Sequence, residues 1–252
     1  MFDRSVTLRG GLPVLFIPVL AALLVLCSTS MARAATLLVP ETYATIQLGV
    51  NAATAGDIVS IHPDSDPVTA GVQPYGEAVT VSTDGIVIES RALLATREED
   101  AATTIVTGET VRAFVFDFQA GTGPTTELRY LTITGARQSW SEVAGGIVVE
   151  SGSSVWIHHN IIHDNRSSGS GADFGGVLCL GSPTISDNYI YDNFSWMGGA
   201  AICVIGSEPV LIEHNTVDAN EAEYNASGIH CDAGSDVEIS GNSITNGDSY
   251  SG

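Results

Sequence analysis

The chain has 252 residues and a formal net charge of −20, and its nine basic residues include no lysine. Such a field repels nucleic acid and anionic membrane surfaces, so neither is expected as a partner. A polyanionic substrate is disfavoured as well, unless a cation such as Ca²⁺ lies between it and the protein.

The first 34 residues read as an export signal. Arg4 and Arg9 form a positive start, Leu12 to Cys27 is an apolar run of signal length, and Ala32-Arg33-Ala34 supplies small residues for cleavage. The run is short for a membrane span and contains Pro13 and Pro18. The mature chain is therefore expected to begin near Ala35, to be secreted or held at the cell surface, and to keep no stable membrane insertion. Three cysteines remain, Cys179, Cys203 and Cys231, an odd number that excludes a fully paired framework within the chain.

Residues 35–57 read as an N-terminal cap made of a short strand and an amphipathic helix. Ile46, Val50 and Ala53 fall on one helical face, with Thr45 as N-cap and Gly56 as the stop. Short strand patterns follow, at Ile58 to Ile61, Ala78 to Val81, Ile86 to Ile88, Thr104 to Val106 and Phe114 to Phe118. From Ser154 the chain repeats itself four times, with asparagines at 160, 188, 215 and 242 spaced by 28, 27 and 27 residues. Each copy has the form Ile-x-x-Asn-x-Ile/Val, as in Ile157-His-His-Asn160-Ile-Ile162. Leu128, Leu131 and Ile133 begin the series one copy earlier, with leucine in the asparagine slot.

Each full copy carries a further strand introduced by glycine, at Gly145, Gly175, Gly199 and Gly228. Strands this short cannot form a sheet within one copy. They can pair only with the equivalent strand of the next copy, about 4.8 Å away. The fold class that follows is all-β, a single-stranded parallel β-helix over residues 58–252 whose inward residues stack like on like. Asn160, Asn188, Asn215 and Asn242 then form a structural ladder at one corner. Counting from the glycines places Cys179, Cys203 and Cys231 on one inward column headed by Val149, as buried free thiols. The chain ends just after the fourth copy with nothing to cover its last rung, which predicts an N-terminal piece of a longer protein.

The start Val39-Pro40-Glu41-Thr42-Tyr43-Ala44-Thr45-Ile46-Gln47, the later Tyr75-Gly76-Glu77 and the recurrent Ile-x-x-Asn-x-Ile resemble exported bacterial members of the right-handed parallel β-helix superfamily. This is the fold of pectate lyases and polygalacturonases. The resemblance implies a right-handed coil with function on its outer face. It does not deliver catalytic residues. Ser82-Thr83-Asp84-Gly85 resembles the first polygalacturonase motif, but has serine for asparagine, and no Asp-Asp, Gly-His-Gly or Arg-Ile-Lys follows. Arg129, Arg137 and Arg166 stand outside any lyase motif.

The outward columns carry the chemistry. The residues preceding the ladder asparagines are His159, Asp187, His214 and Gly241. Stacking brings His159, Asp187 and His214 to spacings of about 5 Å, so they are the candidate catalytic groups. They could hold a divalent metal, or Asp187 could orient a histidine as base; the alternative is a solvated polar ridge. Asp164, Asp187 and Asp192 are candidate Ca²⁺ ligands, and Tyr191 and Trp196 candidate carbohydrate-binding residues. The expected function is an exported, monomeric scaffold that meets a polysaccharide or a cell-surface partner. The competing expectation is a polysaccharide lyase or glycoside hydrolase with a divergent site.

Overall fold

The computed structural model describes residues 33–63, 65, 73–91, 103–108, 114–138, 145–167, 174–196 and 198–250. The export signal expected over residues 1–34 lies outside these, apart from its last two residues. Residues Ala34–Gly252 form one compact unit.

Among the described residues, all strand pairings are parallel, and each joins a strand to its counterpart one coil away. A representative coil starts at Trp156–His158 on a first sheet and turns a corner into Ile161–His163 on a second. A second corner leads to the two-residue strand Arg166–Ser167 on a third sheet, and the coil closes through Val177–Cys179 on a fourth. The four sheets hold eight, seven, five and six described strands. The coil therefore has four short sides, the third made of two-residue strands.

Interior columns follow from the two-residue period of a strand. Val59, Ile88, Leu128, Ile157, Ile185 and Ile212 stack on the first sheet, and Val106, Ile133, Ile162, Ile190 and Val217 on the second, all essentially excluded from solvent. Burying each such side chain contributes about 1.5–3 kcal/mol before the entropy of ordering is subtracted. Leu128 and Ile133 pair with Ile157 and Ile162, the register expected from the sequence. In the last described coil the same columns end in Ile239 and Ile244, which are 47% and 50% exposed.

The cap forms as expected, with two refinements. Helix α1 (Ile46–Ala52) buries Ile46, Gly49 and Val50, and the Thr45 side chain accepts from the Leu48 N–H. A Cβ on Gly49 would lie 3.1 Å from both Val39 and Val59, so glycine is what lets the helix seat on the first rungs. Glu77 explains part of the Tyr75-Gly76-Glu77 motif. Its two carboxylate oxygens accept from the Ile46 and Gln47 N–H groups at 2.9 and 3.1 Å, where unpaired donors and the helix dipole favour a negative charge. Glu77→Ala is expected to lower stability by about 1–2 kcal/mol in chemical denaturation, with Glu77→Gln recovering part of the loss. The second refinement is that α1 ends at Ala52 rather than running on to Gly56. Asp57 takes the Thr54 N–H and hydroxyl (both 2.8 Å) and the Ala35 N–H (2.7 Å), which turns the chain into the strand Ile58–Ile61.

One expectation is overturned. Cys179 pairs with Val204, and Val204 with Cys231, whereas Cys203 pairs with Leu178 and His230. The inward column is thus Val149, Cys179, Val204, Cys231, and Cys203 faces outward into a small cluster with Val148, Leu178 and Phe174. Ala200 and Ala201 occupy the places of Gly175 and Gly176, so Gly199 lies one residue before the position its resemblance to Gly175 implied. A slip of one residue moves a side chain to the other face. All three thiols are free; Cys179 and Cys203 are buried, and Cys231 is exposed rather than buried. Burial pushes Cys179 well up and Cys203 up to about 12, which keeps both protonated and unreactive.

Candidate functional site

The corner between the first and second sheets is built by a left-handed residue followed by an asparagine, or by Leu131 in the coil that starts the ladder. Tyr130, His159, Asp187, His214 and Gly241 have φ of 58°, 55°, 54°, 55° and 65°. This conformation is costly for side chains other than glycine and asparagine, so something must hold it. The holder is the ladder. Asn188 Oδ1 accepts from the Asn160 N–H (3.0 Å) and side-chain amide (3.1 Å), and Asn188 Nδ2 donates to the carbonyls of Ile157 and Ser186 at 2.9 Å. Asn215 and Asn242 repeat the pattern. The buried asparagines lock the backbone of each corner, and the residue before each one points outward in a fixed row.

His159, Asp187 and His214 are therefore brought together as the sequence predicted. They line an open groove of about 400 Å³ with Ile161, Tyr189 and Thr216, within the size range of small-ligand sites. The His214 ring leans over Gly241, where a Cβ would come within 2.8 Å of its Cδ2, so the glycine leaves room for the imidazole at that end. The His214 side chain is 61% exposed and stands 3.9 Å from Glu213.

The proposed Ca²⁺ trio is not assembled. Asp187 belongs to the first corner, whereas Asp164 and Asp192 occupy the left-handed position of the second, beyond the three-residue strand of the second sheet. Asp164 is further engaged by Arg137 at 2.8 Å and Arg166 at 3.4 Å. Among the described residues no three His, Cys, Asp or Glu side chains are placed to hold a metal ion. Among the described residues this holds for His159, Asp187 and His214 as well.

The two aromatic candidates part company. Tyr191 lies on the outer face of the second sheet, stacked between His163 (4.8 Å, 10°) and Tyr189 (4.6 Å, 26°), and Tyr189 carries this stack to the groove. Trp196 follows the third-sheet strand Phe194–Ser195 and packs edge-on to Tyr224 at 5.9 Å, so it is not part of the groove.

A second group escaped the sequence reading. Behind His159 lies His158, only 3% exposed, stacked on Trp156 at 3.9 Å and edge-on to Tyr130 at 6.2 Å. Its Nδ1 is 2.8 Å from His159 Nδ1 and its Nε2 is 3.4 Å from Glu127 Oε2. Glu127 is ion-paired with Arg129 at 2.5 Å, and Arg129 with Glu89 at 2.8 Å. The signal for this cluster was available. Leu128 aligns with Ile157, which sets Glu127, Arg129 and Tyr130 beside Trp156, His158 and His159.

Fold and site together define a parallel β-solenoid with a polar groove along one outer corner. The chain belongs to the right-handed β-helix family: residues 119–251, more than half of it, match the family described as right handed beta helix region. Neither the curated proteins nor the solved structures gave a significant match.

Proposed function

We propose that this chain is an exported β-helix scaffold that binds a neutral, extended polysaccharide along its first corner. The observation that carries the reading is the row of His159, Asp187 and His214 on successive rungs, in one groove with the 40% exposed Tyr189. Rungs repeat at about 4.8 Å, comparable to the advance of one pyranose in an extended glycan, so successive sugars would meet equivalent positions. Asp187 accepts from sugar hydroxyls, the imidazoles donate or accept, and Tyr189 offers an apolar ring face to sugar C–H groups. The charge of −20 argues against uronate-rich polymers, and the signal-like residues 1–34 support export.

Calorimetric titration with neutral β-glucan, mannan and xylan oligosaccharides of increasing length tests this. Affinity for at least one series is expected to rise with length, and Asp187→Ala and Tyr189→Ala are each expected to weaken it about tenfold, equivalent to 1.4 kcal/mol. Preference for a polyuronate, or binding indifferent to both substitutions, would contradict the reading. The paired imidazoles at 158 and 159 favour a second reading, a polysaccharide-cleaving enzyme. Release of reducing ends that is lost in Asp187→Ala, with the fold intact, would decide for it.

A further inference from the structure

We infer that Glu127, His158 and His159 form a hydrogen-bonded relay that fixes His159 as its Nδ1–H tautomer and leaves Nε2 as the groove's proton acceptor. The inference rests on the binding reading only for the identity of the donor, a ligand hydroxyl; the relay itself is a property of the free protein. His159 is the residue that meets the ligand, and His158 and Glu127 are positioning residues.

The numbers of donors and acceptors at the three side chains fix where the protons lie. A carboxylate has only acceptors, so the contact between Glu127 Oε2 and His158 Nε2 requires the proton on that nitrogen. A neutral His158 then has a bare Nδ1. Two ring nitrogens 2.8 Å apart must share one proton, so His159 Nδ1 supplies it. A neutral His159 is thereby left with its lone pair on Nε2, for which no protein partner is found among the described residues. The free imidazole in water has no such fixed tautomer, and a neighbouring hydrogen bond is the usual means of setting one.

The opposite arrangement needs a cationic His158 that donates from both nitrogens and forces the His159 proton onto Nε2. The surroundings oppose it. Burial against Trp156 and Tyr130 lowers the His158 pKa below the ordinary imidazole value, and the adjacent His159 and Arg129 act in the same direction against the pull of Glu127. The charged and titratable groups facing the pair are Glu127, Arg129 and Tyr130 from the preceding coil, with Glu89 behind Arg129 and Asp187 beside His159 in the groove row. Arg129 is neutralised by two carboxylates, Glu89 and Glu127, which leaves the latter shared between the guanidinium and His158. The rings are also held in place. Trp156 lies flat on His158 and donates from Nε1 to Ser186 Oγ at 3.0 Å, and Tyr130 contacts His159 at 5.2 Å.

The consequence for a ligand is directional. A groove that also presents the Asp187 carboxylate and the exposed His214 imidazole gains a fixed acceptor at the His159 end, suited to a sugar hydroxyl or a water that must give up its proton.

Long-range ¹H–¹⁵N spectra of the imidazoles in the uniformly labelled full chain, near neutral pH, test the relay. His159 is expected as the Nδ1–H tautomer in the wild type. In His158→Phe, which keeps a ring on Trp156, and in Glu127→Ala it is expected to shift toward Nε2–H. Each variant is expected to bind the preferred neutral oligosaccharide about tenfold more weakly, the loss of one net hydrogen bond. A wild-type His159 protonated on Nε2 overturns the relay, and so does a tautomer unchanged in both variants. Should a variant fail to fold, the wild-type spectrum alone decides between the two arrangements. A correct tautomer in a protein that binds no neutral glycan would leave the relay standing and defeat only the binding reading.

Discussion

Asn188→Leu is expected to destabilise the protein by about 3–5 kcal/mol, seen as a lower denaturant midpoint with an unchanged slope. The amide of Asn188 accepts two hydrogen bonds from Asn160 and donates to the carbonyls of Ile157 and Ser186 and to Asn215 Oδ1, all in a buried corner. Leucine fills a comparable volume but leaves the Asn160 N–H and two carbonyls without those partners, and each buried unsatisfied group costs about 1–3 kcal/mol. The protein contains its own control. Leu131 occupies the same slot two coils earlier, and its N–H is satisfied by Asn160 Oδ1 at 3.2 Å. Leucine is tolerated there because it starts the ladder. At 188 it would interrupt it, and the left-handed backbone at Asp187 would lose its support as well.

Asp117→Asn is expected to act in the opposite direction, stabilising the protein by about 2 kcal/mol at a pH of about 8 and leaving it nearly unchanged at a pH of about 3. Asp117 sits on the strand Phe114–Phe118, in register with Thr80 and Val148, and is only 9% exposed. Oδ2 accepts from Gln119 at 2.6 Å, and Oδ1 has no partner among the described residues. Burial, reinforced by the nearby Glu150, raises its pKa from 3.8 to about 6. A raised folded-state value means that the native protein holds this proton more tightly than the unfolded chain does. The associated stability is fully present below 3.8 and is lost as pH rises through about 6. Asparagine is neutral throughout and keeps an oxygen for Gln119. Stability profiles of the two proteins should therefore converge in acid and separate above about pH 6; parallel profiles would refute the assignment.

These two residues show what the sequence could and could not disclose. The ladder is legible because, once it has started, its corner position takes asparagine in every copy, at intervals of 28, 27 and 27 residues. The interior isoleucines and the row of His159, Asp187 and His214 follow from the same register. Cys203 was misplaced because glycine is a poor ruler where alanine can take its place, and with a two-residue period one slip reverses the face. The acids were misgrouped for a different reason. Asp187 and Asp192 lie five residues apart in the sequence, but a three-residue strand sets them on different corners. Asp117 carries no pattern at all, since its strand looks like any other buried strand and only the packing around it reveals the cost. The cluster behind His159 was within reach, but it required reading sideways across coils rather than along the chain.

Binding along the first corner is tested by a map of amide and imidazole shift changes on adding a neutral oligosaccharide to the ¹⁵N-labelled protein. Changes are expected to concentrate at His159, Asp187, Tyr189, His214 and Thr216, with His230 on the fourth sheet unaffected. Changes centred on the fourth sheet or around Trp196, or none with any neutral glycan, would contradict it.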